Sequence, residues 1–305
     1  MSVEGVVLEG TGGVYQVRTA DGRVVDATMR GRLKQDGGVK LAVGDHIALE
    51  HDAIADAWTI TRIHERRSQL ARRAPGGRHA ERVVVANVDQ VVVVFAAANP
   101  EPHAGMIDRF LVIAESNDLA ARLVINKCEL ASSAAVDALV APYARAGYQV
   151  HRTSVKAGTG IAELHDALAG RVSALTGPSG VGKSSLLNAM FPGVSLRVGE
   201  ISASVNKGRH TTVGAKLVPL PGDGFVVDTP GLREVGLWGI ASESVVECFP
   251  ELRARIGDCR FQDCVHDQEP GCAIREAVRT GEIDPTRHRS YLKLRAELAA
   301  SERSY

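Results

Sequence analysis

No apolar run in the chain approaches the ~18 residues that a membrane-spanning helix needs. The opening MSVEGVVLEG carries an acid, Glu4, where a secretory signal would carry bases, so a cytoplasmic protein is expected. Aromatic residues are sparse at 4%, but hydrophobic residues reach 45% and charged residues 24%, which is ordinary globular usage and excludes wholesale disorder, collagen-like repeats and coiled coil. Net charge is also missing: 36 basic residues balance 36 acidic ones, so only a local asymmetry can point to a polyanionic partner. Nor is there an even cysteine set. Five cysteines argue against a disulfide framework. A length of 305 residues predicts about two domains, or three if some are small.

The hydrophobic pattern divides the chain into an expected barrel over residues 1–65, a basic linker over 66–82, a nucleotide-binding unit over 83–236 and a helical unit over 237–305. From Gly5 to Ile63 the runs GVVLE, VYQVR, RVVDAT, HIALE and AWTITRI alternate with Gly- and Asp-bearing turns, the signature of a small five-stranded β-barrel. An OB-type barrel has this size and often binds oligonucleotides; a barrel used only for packing fits the same pattern. The stretch HERRSQLARRAPGGRHAER has no sustained apolar period. Seven arginines lie between Arg62 and Arg82 against Glu65 and Glu81, which suits either a solvated hinge or phosphate contacts.

Beyond the linker the period changes. VDQVVVVFAAAN is a continuous apolar run of the kind a strand buried on both faces shows, and RLVIN, YQVHRTS and RVSALTG follow as further strands. Ile107, Phe110, Leu111 and Ala114 keep helical spacing, and Ser133 to Ala146 reads as a helix stopped at Gly147. Alternating strands and helices predict a parallel α/β sheet. From about Gly236 the chain turns mostly helical. Its tail carries Arg275, Arg279, Arg287, Arg289, Lys293 and Arg295, which suit a solvated face as well as RNA contact.

The strongest motif is Gly177-Pro178-Ser179-Gly180-Val181-Gly182-Lys183-Ser184, a full G-x-x-x-x-G-K-S placed between a predicted strand and a helix that opens with Ser185. Glycines there let backbone N–H groups close on the α- and β-phosphates, with Lys183 pairing the β- and γ-phosphates and the Ser184 hydroxyl ligating Mg²⁺. Asn126-Lys127-Cys128-Glu129 ends RLVIN and is similar to the N-K-x-D signature that reads guanine. A carboxylate accepts from N1–H and the exocyclic amine, which adenine does not offer. Glu129 in place of Asp is a departure, and Thr153-Ser154-Val155-Lys156, ending the next strand, resembles the supporting base-contact loop, with Ser154 and Val155 as its base contacts. Phe225 to Gly231 is an apolar strand ending in D-x-P-G: Asp228 is expected to hold Mg²⁺ through water and the Gly231 N–H to approach the γ-phosphate. Between them KGRHTT is placed as a switch loop, with one of Thr211 and Thr212 expected to close on Mg²⁺. Leu232 follows D-x-P-G where a water-orienting glutamine would stand, so slow intrinsic hydrolysis is expected. His210 is the candidate water-positioning residue, with a structural histidine as the alternative.

Here the guanine-reading loop precedes the phosphate loop, the reverse of the usual order, so the GTPase domain is circularly permuted; the sheet allows this if the original ends lie close together. Cys259-x4-Cys264-x-His266-x5-Cys272 offers three thiolates and one imidazole, a closed tetrahedral Zn²⁺ set with no position for catalytic water. Cys128 and Cys248 lie outside it and are assigned to packing.

A β-barrel, N-K-x-E, GPSGVGKSS, GRHTT, DTPGLRE and C-x4-C-x-H-x5-C, in that order, closely resemble the ribosome small-subunit-dependent GTPase A family, over essentially the whole chain. The resemblance implies an OB-fold, a permuted GTPase and a zinc domain that bind the small (30S) ribosomal subunit and its 16S rRNA late in maturation. It implies one structural Zn²⁺, Mg²⁺ with GTP, hydrolysis stimulated by the subunit, and a catalytic role for His210; a monomer is expected. Two other readings stay open: an RNA-binding assembly module using GTP as a conformational ligand, and a nucleic-acid-remodelling ATPase.

Overall fold

The structure, a computed structural model, describes residues 2–31, 40–73, 81–193, 215–228 and 240–303. Strands β1 (Ser2–Thr11), β2 (Val14–Thr19), β3 (Val24–Met29), β4 (His46–Asp52) and β5 (Ala57–Ile63) close a barrel in the order β1-β2-β3-β5-β4. The alternation read from the sequence sends Val7, Val17, Ala27, Ile47, Leu49 and Ile60 inward as its core. Closure depends on two non-hairpin pairings, β3 parallel to β5 and β4 back on β1.

The expected linker is partly strand. β6 (Gln69–Arg73) and β7 (Glu81–Ala86) form an antiparallel ribbon with a bulge between Leu70 and Ala71. Its apolar anchor is Leu70 opposite Val85, at 1% and 0% exposure. Leu70 between the half-buried Gln69 and Ala71 gives no period to read. Arg66 is no free phosphate contact either: its guanidinium spans both oxygens of the buried Asp45 at 2.7 and 2.9 Å.

Strands β8 (Gln90–Ala96), β9 (Ala120–Asn126), β10 (Gln149–Arg152), β11 (Val172–Thr176), β12 (Lys216–Pro219) and β13 (Phe225–Asp228) form a sheet in the order β10-β9-β8-β11-β13-β12. All are parallel except the edge strand β12. Helices α1 (Ala104–Glu115) and α2 (Ser133–Arg145) pack on one face, α3 (Ile161–Leu168) and α4 (Lys183–Met190) on the other. β8 explains its unbroken apolar run: Val91, Val93 and Phe95 feed the first layer, Val92, Val94 and Ala96 the second. From β8 the chain winds outward through β9 to β10, then returns to β11 on the other side of β8. Such a reversal opens a crevice at the carboxyl ends of the strands.

The C-terminal region holds the helices α5 (Pro250–Arg253), α6 (Ala273–Arg279) and α7 (Pro285–Glu302). It is continuous with the α1 side of the core through Val245, Phe249, Leu252, Tyr291 and Leu294. Arg287, expected on a basic surface helix, is instead 1% exposed: it donates to Asp108 of α1 at 2.5 Å and to Glu251 at 2.6 and 3.2 Å, its guanidinium 4.5 Å from the Phe249 ring centroid. Burial opposes its charge, but the Glu251 and Asp108 carboxylates outweigh that and hold the proton.

Candidate nucleotide site and metal centre

The phosphate-binding motif follows β11 into the crevice beside β8. Gly177 has φ 135°, and a Cβ there would lie 2.0 Å from the Val94 carbonyl oxygen; Gly182, at φ 94°, would drive a Cβ to 2.5 Å from Asn126 Nδ2. Both positions therefore demand glycine. Ser179 and Gly180 form the exposed turn after the half-buried Pro178, while Val181 is buried beneath it. Lys183 is 7% exposed, and its Nζ donates to the carbonyls of Gly177 at 2.8 Å and Pro178 at 2.7 Å. The ammonium thus sits inside the loop it serves. Ser184 and Ser185 lie in the first turn of α4, the positive end of the helix.

Asn126 ends β9 in the neighbouring position. It is 2% exposed, donates from Nδ2 to the Val181 carbonyl at 2.9 Å and accepts at Oδ1 from the Thr153 hydroxyl at 3.1 Å. The residue expected to read the base therefore also fastens the base loop to the phosphate loop. Lys127 adopts a left-handed conformation at φ 59°, and its Nζ donates to the Asn99 carbonyl at 2.5 Å. A short 3-10 turn, Cys128–Leu130, carries Glu129 outward, and Cys128 N–H donates to the Thr153 carbonyl at 3.1 Å. A hydrogen bond from the buried Ser154 holds the Glu129 carboxyl below its ordinary range, with Lys127 and Lys156 adding to the effect. Val155 is half-buried against the α3 layer.

Thr153 belongs to the expected base-contact loop, while sequence reasoning missed Asn99 and Gly160. Gly160 alone left a signal: within Gly158-Thr159-Gly160, a Cβ at position 160 would come within 2.0 Å of the Arg152 carbonyl oxygen. Asp228 closes β13, next to the strand of the phosphate loop. His210, Thr211, Thr212, Gly231 and Leu232 lie outside the described residues.

The metal-ligand set is brought together as the spacing predicts. The donor atoms of Cys259, Cys264, His266 and Cys272 all lie within 4.8 Å of one another. Cys259 and Cys272 Sγ are 3.8 Å apart, and each is 3.5 Å from His266 Nδ1. A tetrahedral zinc with bonds of about 2.3 Å to sulfur and about 2.0 Å to nitrogen requires edges of about 3.8 and about 3.5 Å. The fit is close. Burial and the adjoining thiols push the Cys264 thiol up to about 12, as expected of a cluster that needs a cation to hold its thiolates. His266 is itself placed by its neighbours: its carbonyl accepts from His288 Nε2 at 2.8 Å, and Tyr291 holds the adjoining Val265 carbonyl at 3.0 Å.

With this geometry in place, comparison with known proteins is informative. The RsgA N-terminal domain family matches residues 4–58 and the RsgA GTPase family residues 63–238. The chain is 59% identical to the small ribosomal subunit biogenesis GTPase RsgA of Gemmatimonas aurantiaca, over 97% of this chain and 98% of that one. Among solved structures it is similar to YjeQ from Thermotoga maritima, with a TM-score of 0.81 at 34% identity over 98% and 99% of the two chains. It is also similar to YloQ, described as a circularly permuted GTPase, with a TM-score of 0.79 at 28% identity over 99% and 96%. Barrel and permuted GTPase order are thus shared with these proteins, and the chain belongs to the RsgA GTPase family.

Proposed function

We propose that the chain hydrolyses GTP in the biogenesis of the small ribosomal subunit, the role named for its relatives. The observation that carries the reading is the Asn126 link: one side chain ties a guanine-type loop to a phosphate loop, as a purine triphosphate spanning both requires. Residues 177–185 form the loop that cradles the phosphates, through backbone N–H groups at every position but Pro178, and Lys183 leaves its loop carbonyls to pair the β- and γ-phosphates. Lys127 flanks the base, Glu129 accepts from guanine, and Ser154 and Val155 support the loop. Ser184, one of Thr211 and Thr212, and Asp228 would hold Mg²⁺, which would neutralise the charge that develops on the phosphates. Gly231 N–H approaches the γ-phosphate. His210 positions the attacking water, because Leu232 offers no polar group to do so.

Cys259, Cys264, His266 and Cys272 would hold one structural Zn²⁺, a donor set that leaves no open position for chemistry. The barrel of residues 1–65 and the unit of 237–305 dock on the 30S subunit and its 16S rRNA, with 66–82 joining barrel to GTPase. The protein works as a cytoplasmic monomer that is released after hydrolysis.

The test is GTP and ATP hydrolysis by the purified protein, with and without small ribosomal subunits, alongside His210→Ala. Slow GTP turnover, faster with subunits and reduced in the variant, is the expected outcome. Tight GTP binding without acceleration would instead favour an assembly module that uses GTP as a conformational ligand, and preference for ATP would overturn the guanine reading.

A further inference from the structure

The β12–β13 hairpin lies at the edge of the GTPase sheet, and the barrel grips it at both ends. At its turn, Arg18 of β2 reaches Asp223 at 3.2 Å, with its guanidinium 5.6 Å from the Phe225 ring centroid. At its open end, Lys216 Nζ lies 3.0 Å from Glu9 of β1. Lys216 is the Cα partner of Asp228 in the antiparallel ladder. The barrel's grip therefore lands directly opposite the aspartate assigned to the nucleotide. β13 spans only Phe225–Asp228, so the Arg18 contact and Asp228 are joined by a strand of roughly 10 Å that pairs β11, the strand of the phosphate loop.

These contacts do little for stability. The Lys216 and Glu9 side chains are 53% and 39% exposed, and exposed pairs contribute about 0–1 kcal/mol. What they fix is the position of the hairpin against the barrel.

We infer that Glu9 and Arg18 are positioning residues for GTP hydrolysis: they transmit the barrel's engagement with the small subunit to Asp228 through the β12–β13 hairpin. The inference rests on the proposed function, since it presumes stimulation by the subunit. The Lys216–Asp228 pairing and β13 give two contiguous routes from the barrel's contacts to Asp228. Moving the barrel displaces Lys216 and Phe225 together, and Asp228 with them.

The experiment measures basal GTP turnover, subunit-stimulated turnover and subunit affinity for the full chain, Glu9→Lys, Lys216→Glu, the Glu9→Lys/Lys216→Glu double variant and Arg18→Lys. Each single reversal should lower the stimulated rate by about 5-fold or more, a typical coupling effect, with basal rate and subunit affinity unchanged. The double reversal should restore stimulation, since it restores the ion pair. Arg18→Lys, which keeps the charge but loses the planar stack, should fall between. Normal stimulation in the single variants would overturn the inference alone. So would a loss matched by weaker subunit binding, which would make these residues part of the docking face. No stimulation in the unaltered protein would overturn the proposed function as well.

Discussion

Asp45 has no exposure at all, and both its oxygens are taken by Arg66, whose Nη2 also donates to the Lys40 carbonyl at 2.8 Å. A buried carboxylate deprived of its cation is costly, so Arg66→Ala should destabilise the protein by about 3–5 kcal/mol. Arg62→Ala, at an exposed position, should stay within about 0.5 kcal/mol. Denaturant midpoints check both, and equal midpoints would remove Arg66 from the fold's supports. Nothing in HERRSQLARR sets Arg66 apart from its neighbours; its partner is 21 residues away and only the closed barrel brings them together. The same holds for Asn126. A four-letter motif named it as a base reader, but the Val181 carbonyl it fastens lies 55 residues downstream.

Elements were legible where a local rule governs them. β8 announced itself because two apolar layers sandwich it, the phosphate loop because glycine is required where a Cβ would strike the Val94 carbonyl or the Asn126 amide, and the Cys/His cluster because its donors lie within fourteen residues. β6 and β7 were not, since their ladder is held by backbone pairing and by the Asn117 side chain, whose Oδ1 accepts from Ala71 N–H at 3.0 Å. Helix α6 shows how the cluster supports an element: Cys272 is its N-cap, and Arg275 N–H donates to Cys272 Sγ at 3.5 Å. The purified protein should contain about one zinc ion per chain by elemental analysis. Cys264→Ala should lose it, and amide exchange across α6 should quicken. A variant that keeps full zinc with unchanged exchange would remove Cys264 from the ligand set.

Taken whole, the GTPase sheet is held from two sides. The barrel meets the β12–β13 edge, and the C-terminal helices meet α1 through Arg287, Arg109–Glu297 and Arg253–Glu115. Balanced total charge leaves attraction to RNA with local groups such as those of the arginine-rich stretch. Binding to small subunits should therefore weaken linearly with log salt, and Arg62→Ala should flatten that slope by about one, as expected for a lost phosphate contact. A slope unchanged by Arg62→Ala would move the RNA contact elsewhere. A binding constant flat across salt would remove electrostatic docking altogether.

The contact between Arg287 and Asp108 joins residues 179 positions apart, and Arg287 lies near the end of the chain. During synthesis Asp108 and Glu251 emerge long before the cation that neutralises them. A chain stopped before α7 can still complete its barrel and its phosphate loop, but it lacks both the cation for Asp108 and Glu251 and the helix whose Tyr291 and Leu294 join α1 in one core. Such a fragment leaves that side of α1 uncovered and open to degradation, so the docking of α7 decides whether the GTPase sheet is held from both sides.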